Sequence, residues 1–120
     1  MAVSTSPLTT QFIDIIAEST DLESAVYVDI AGKPVTLYAM TVVNAADAAI
    51  HVKLYNTAVV VPGTTVPEAI FMVVNGTTRT FVTTDGLEFT AALSARAVTE
   101  AGTPGTTDPR SSSTVRFFVG

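Results

Sequence analysis

The chain has no cysteine, no tryptophan and a single histidine among its 120 residues. Without cysteine there is no disulfide framework, no thiolate metal site and no thiol nucleophile. The lone His51 lacks the imidazole or thiolate companions that a zinc site uses. A serine–histidine–aspartate triad would have to use it too, yet Ser111, Ser112 and Ser113 sit in a Gly/Pro-rich stretch with no nucleophile-elbow pattern. Charge is also scarce. Charged residues make up 14% of the chain, against about 25% in an ordinary soluble domain. Hydrophobic residues reach 48%, and the mean hydropathy is +0.45. A net charge of −5 argues against a surface that tracks nucleic-acid phosphates. No apolar run approaches the length of a membrane span. The start, Met1 to Pro7, has neither the basic region nor the apolar region of a signal peptide.

The length fits one domain. The acids are unevenly placed: Asp14, Glu18, Asp21, Glu23 and Asp29 fall in residues 1–30, which hold no lysine or arginine. The later residues balance six acids with six bases. The whole net charge therefore belongs to the first quarter, as a solvated arm or edge strand or as an arm that docks on a basic surface.

The patterning is that of β-structure. Residues 1–10 are small and polar and read as an extended N-terminal arm, leaving 11–120 as the domain. Gln11 to Ile16 and Ala25 to Ile30 are rich in β-branched residues and predict strands. Val35 to Val43 alternates, with Val35, Leu37, Ala39, Thr41 and Val43 on one face and Thr36, Tyr38, Met40 and Val42 on the other. Ala49 to Tyr55 alternates most cleanly, with Ile50, Val52 and Leu54 inward and His51, Lys53 and Tyr55 outward. Asn75-Gly76 predicts a tight hairpin between Glu68–Val74 and Thr77–Thr84, because both turn positions want positive φ. Asp85-Gly86 predicts a second. Thr90 to Thr99 and Thr114 to Val119 complete the set, separated by a polar loop over 101–113. About eight short antiparallel strands with turn signals at this spacing predict an all-β sandwich, jelly-roll-like, in one domain.

Chemistry is hard to find in this pattern. Asp85 and Glu88 flank a turn, and Glu100 and Asp108 flank the long loop, with no spacing that marks a glycosidase pair or a calcium loop. No phosphate-binding glycine loop is present. The expectation is no enzyme and no cofactor or metal. Tyr27, Tyr38 and Tyr55 can be drawn as a sugar-stacking platform, although tyrosines on alternating strands are more often cross-strand packing. The residues that invite a partner are apolar: Ala58, Val59, Val60 and Val61 precede Pro62 in a stretch whose two prolines, Pro62 and Pro67, disfavour a central strand. They cannot all point inward, and exposed apolar patches mark interfaces.

From Leu37 to Pro67 the sequence resembles small virion structural proteins of tailed bacteriophages. The resemblance lies in Leu37-Tyr38, Asn44, Val52-Lys53-Leu54-Tyr55-Asn56 and the run Gly63-Thr64-Thr65-Val66-Pro67. Further on it lies in Gly86-Leu87-Glu88-Phe89, followed by an apolar strand, a Gly/Thr/Asp-rich loop and a last strand. What it implies is a capsid decoration, or cement, protein: a small β-rich domain without enzymatic activity, assembling as a homo-oligomer with a trimer favoured. It would bind the major capsid protein on the capsid surface of the virion after synthesis in the host cytoplasm, with no nucleic-acid or membrane partner. The expected contact residues are Phe12, Ile13, Ala58, Val59, Val60, Val61 and Pro62. The alternative is a receptor- or glycan-binding module, or another small tail component, using Tyr55, His51 and the 102–113 loop. The absence of tryptophan counts against a sugar face.

Overall fold

The computed structural model describes residues 3–7, 15–19, 26–109 and 113–120. Among the described residues there is no helix. The strands are β1 (Val3–Pro7), β2 (Ile15–Ser19), β3 (Val35–Asn44), β4 (Ile50–Asn56), β5 (Ala69–Val73), β6 (Thr77–Phe89), β7 (Leu93–Val98) and β8 (Ser113–Val119). They form two antiparallel sheets, ordered β1-β2-β8-β3-β6 and β5-β4-β7. Val3–Pro7, inside the segment expected to be an arm, runs along β2. Phe12 and Ile13 lie outside the described residues.

One hydrophobic core draws on both sheets. Val35, Leu37, Met40 and Val42 of β3 and Val115, Phe117 and Val119 of β8 meet Ile50, Val52 and Leu54 of β4 and Leu93, Ala95 and Ala97 of β7. The low charge content now has a structural reason: facing sheets need a full apolar inner side on almost every strand.

The pairings nest. β4 pairs with β5, β3 with β6, Tyr27 with Ala95 of β7, and β2 with β8. Ile50↔Val73, Thr36↔Glu88 and Tyr27↔Ala95 are all nearly symmetric about Val61-Pro62. The chain is thus one long folded-back ribbon whose apex is the loop between β4 and β5. Successive rungs of the ribbon alternate between the two sheets.

Several local expectations change. The face assignment of β3 inverts partway: Val35 and Leu37 are buried, and then Met40 and Val42 are. A register shift between Leu37 and Ala39 causes this. One extra residue in β3 opposite β8 reverses which parity faces the core. Of the expected strand Ala25–Ile30, the described residues 26–30 form no strand. Tyr27 makes one isolated bridge to Ala95, after which Asp29, at φ 49°, turns the chain away. Asn75-Gly76 does turn the chain, with Gly76 at φ 69°, but Asn75 does not take the positive φ expected of it, and the strands it joins pair with different partners in different sheets. It is a corner between layers. The corner is packed by the tilted Phe71–Phe81 pair, 4.7 Å between centroids, with the Arg79 guanidinium 4.9 Å from the Phe81 ring.

Asp85-Gly86 is likewise not a hairpin. β6 continues through it, and the ladder to β3 jumps from Val82 opposite Ala39 to Leu87 opposite Leu37. Gly86 sits at φ 81° in this bulge, and a Cβ there would run into Thr36 Cγ2. Gly86→Ala should therefore cost about 2 kcal/mol, from the left-handed conformation together with the contact. A urea midpoint unchanged from that of the parent protein would refute this account.

Candidate functional site

The site expected from the sequence was the apolar run before Pro62, and the structure places it at the ribbon's apex. Residues 57–62 form no strand. Ala58, Val59, Val61 and Pro62 are exposed, and Val60 is half-buried. Val59 is 74% exposed. Local hydrogen bonds shape the loop. Thr57 Oγ1 accepts from the Val59 amide, Thr65 Oγ1 accepts from the Val61 amide, and the Val61 carbonyl accepts from the amides of Thr64 and Thr65. Hydroxyls and short turns thus satisfy the backbone, and the valines are left facing out.

Further exposed apolar residues follow that run along the chain. Val66 is 73% exposed, and Ile70, Met72 and Val74 are exposed as well. Ile70 is opposite Lys53, and Met72 is opposite His51. Cross-strand partners share a face, so Ile70 and Met72 lie on the outer face of the smaller sheet. These apolar residues escaped the sequence analysis. The available signal was charge: from Leu54 to Thr78 the only charged residue is Glu68.

The same outer face carries a second feature. His51, Lys53 and Tyr55 do point away from the core, but they are not free in solvent. Lys53 is 0% exposed and Tyr55 4%. The loop after β7 lies across β4 as a strap. Lys53 Nζ donates to the carbonyls of Gly102 and Gly105, the latter at 2.9 Å. His51 Nδ1 lies 3.1 Å from the Thr99 carbonyl. Arg96 donates to the Thr106 carbonyl and to Asp108 Oδ1 at 2.7 Å. A Cβ at Gly63 would lie 3.4 Å from both the Pro104 carbonyl and Thr106 Cγ2, so the apex loop abuts the strap. The lysine, at the centre of the sheet's outer face, is spent on folding the strap.

Glu100 closes the strap on itself. Its carboxylate accepts from Thr99 Oγ1 and from the Thr107 amide, the latter at 2.9 Å. These bonds, that of Thr99 first, lower its pKa from 4.5 to about 2. A carboxylate depressed in the folded state contributes stability above its unfolded pKa and loses it as pH falls through the folded one. Protection of the Thr107 amide should therefore decline from about pH 4.5 to about pH 2. Glu100→Gln should lose that pH dependence, as amide exchange will show.

The three tyrosines do not form a platform. Tyr55 is buried, Tyr27 packs against the core from the bridge to Ala95, and Tyr38 belongs to the other sheet beside Gly86. A shallow cleft of about 290 Å³ is lined by Pro34, Val35, Thr36, Glu88, Phe89, Thr90 and Gly120. Glu88 is the one carboxylate side chain in that lining. Among the described residues no group of three or more His, Cys, Asp or Glu converges as a metal site. No helix among them is long and apolar enough to cross a membrane.

These features define an all-β domain of two antiparallel sheets whose most distinctive surface is an exposed apolar apex next to a hydrogen-bonded strap. No protein-family model, curated protein or solved structure matches the chain.

Proposed function

We propose that this chain is a non-enzymatic virion structural protein, a capsid decoration protein that binds the shell of a phage major capsid protein and stabilises it. The observation that carries the reading is the apolar apex. A small domain with few charges spends Val59, Val61 and Val66 on solvent, a disposition that is favourable when a partner covers them. A decoration protein works through such contacts. Each standard interface removes about 1,600 Å² from water, and many copies act on one shell. The sequence resemblance across residues 35–119 points the same way, and with it to three-fold assembly.

A jelly-roll architecture belongs to the same reading. It is supported by the nested ribbon: β2·β8, Tyr27·β7, β3·β6 and β4·β5 are the successive rungs of a folded-back hairpin rolled into two layers. In this view the Tyr27 bridge stands where an eighth strand of the roll would pair with β7, and β1 is an addition outside β2. Viral capsid domains are among the proteins that use such a roll.

The test is direct. Purified protein mixed with expanded capsid shells should co-sediment at micromolar concentration and raise the temperature at which the shells rupture. Shells that neither retain the protein nor gain thermal resistance would overturn the proposal.

A further inference from the structure

The apolar apex carries one charge. Glu68 is exposed between Val66 and Ile70. Its amide donates to the Leu54 carbonyl at 2.7 Å, which ties this point of the chain to the end of β4. Among the described residues no cation pairs with it. The cations nearest the patch are committed elsewhere: Lys53 to the strap carbonyls, Arg96, with 12% of its side chain exposed, to Asp108, and Arg79 to the Phe81 ring and the Met72 carbonyl. Glu68 therefore presents an uncompensated carboxylate within an apolar surface.

We propose that this surface, formed by Val59, Val61, Val66, Ile70 and Met72 around Glu68, receives a protein surface that is itself apolar and places a basic side chain opposite Glu68. The inference rests on the decoration reading only for the partner's identity; its chemistry follows from the patch. An apolar partner without a cation would strip water from Glu68 and return nothing, a cost that a buried unpaired charge makes prohibitive. An acidic partner would add repulsion. A second copy related by a two-fold axis is disfavoured for the same reason, because an isologous contact over this patch brings the two Glu68 carboxylates together. A lysine or arginine among apolar residues answers both the valines and the carboxylate, and it discriminates against partners lacking the charge.

The test uses the full chain, isotope-labelled, with two blocked tetrapeptide probes: leucine-valine-arginine-leucine and the same peptide with glutamate in place of arginine. The arginine peptide should produce saturable amide shifts over residues 59–72, and the glutamate peptide should bind at least about fivefold more weakly. Glu68→Lys should invert that preference. Shifts elsewhere, no binding at millimolar peptide, or equal response to both peptides would overturn the inference. On expanded shells, Glu68→Lys and Val66→Asp should each weaken binding about tenfold, whereas Val82→Asp, on β6 of the other sheet, should not. Wild-type protein that ignores shells but keeps the peptide pattern would sink the decoration reading and leave this inference standing. Wild-type protein that binds shells as tightly as both variants would do the reverse. A fall in solution mass caused by Val66→Asp would show that a second copy covers the patch, and would also overturn it.

Discussion

Replacing Asn44 by alanine is expected to destabilise the domain by about 3–5 kcal/mol, more than any truncation at the surface. The side chain is 1% exposed at the end of β3. Its Nδ2 donates to the carbonyls of Ala48 and Val73 at 3.0 and 2.9 Å, and its Oδ1 accepts from the Ala46 amide at 2.9 Å. Its own carbonyl accepts from the Gly76 amide at 2.9 Å. One residue therefore fastens two corners, the one from β3 to β4 and the one from β5 to β6, both of which carry the ribbon from sheet to sheet. Alanine would leave buried backbone groups at both corners without partners, each at about 1–3 kcal/mol. Asn44→Asp separates hydrogen bonding from volume: it keeps the acceptor for Ala46 but turns a carboxylate towards two carbonyls. It should be no better than alanine. Urea unfolding of both variants checks this, and a loss below about 1 kcal/mol would mean that the corners hold without the amide.

That double role explains why the fold was only partly legible in the sequence. Strand existence follows from local composition. Ile50 to Tyr55 alternates, and the alanine-rich 93–98 segment is a strand because its small residues fit between two packed sheets. Asn75-Gly76 specifies its own tight turn. Whether the strands leaving that turn stay in one sheet is decided elsewhere, by Asn44 and by the Phe71–Phe81 contact, and neither is local. The bulge at Tyr38 adds one residue against β8, and no periodicity reveals it; the parity of Met40 and Val42 follows only once Val119 and Phe118 are paired. The candidate site divides in the same way. The exposure of Val59 to Val61 was legible from the two prolines and from a run too apolar to bury completely. The continuation onto Ile70 and Met72 depended on knowing that β5 is an edge of the smaller sheet.

Lys53 was the least legible residue of all, and the second large effect belongs to it. Alternation correctly turns it away from the core, but its surroundings come from a loop about fifty residues later in the chain. An ammonium buried beside two glycine carbonyls ties the middle of the strap to β4, while Arg96 and Glu100 hold its later part at Thr106, Thr107 and Asp108. Most strap side chains are small and exposed, and the Arg96–Asp108 pair, with Asp108 half-exposed, contributes the modest amount usual for a rim ion pair. Lys53→Met keeps most of the apolar stem and removes the donor. Exchange of the Thr99, Gly105 and Thr107 amides, all hydrogen-bonded within the strap, should then accelerate by about 30- to 100-fold. That corresponds to about 2–3 kcal/mol of lost local stability. Lys53→Ala should lose more, because the buried stem goes too.

The pH dependence sets the ammonium apart from a merely space-filling side chain. Desolvation lowers the Lys53 pKa from 10.5, with Glu100 opposing the shift and Arg96 adding to it. The unfolded chain then holds this proton more tightly than the folded one. This group's penalty on folding is full below the folded pKa and lifts as pH rises towards 10.5. Tyr55 acts in the opposite sense. Burial raises its pKa above 10.0, with Arg96 pulling the other way, so its contribution is lost at alkaline pH. The lysine's part therefore appears as a difference: the stability gap between wild type and Lys53→Met should widen with rising pH in the alkaline range below 10.5, because a neutral amine still donates to both carbonyls without the desolvation cost. A gap that stayed constant, with strap exchange in the variant within about threefold of wild type, would mean that the strap holds itself and that the buried lysine is incidental to it.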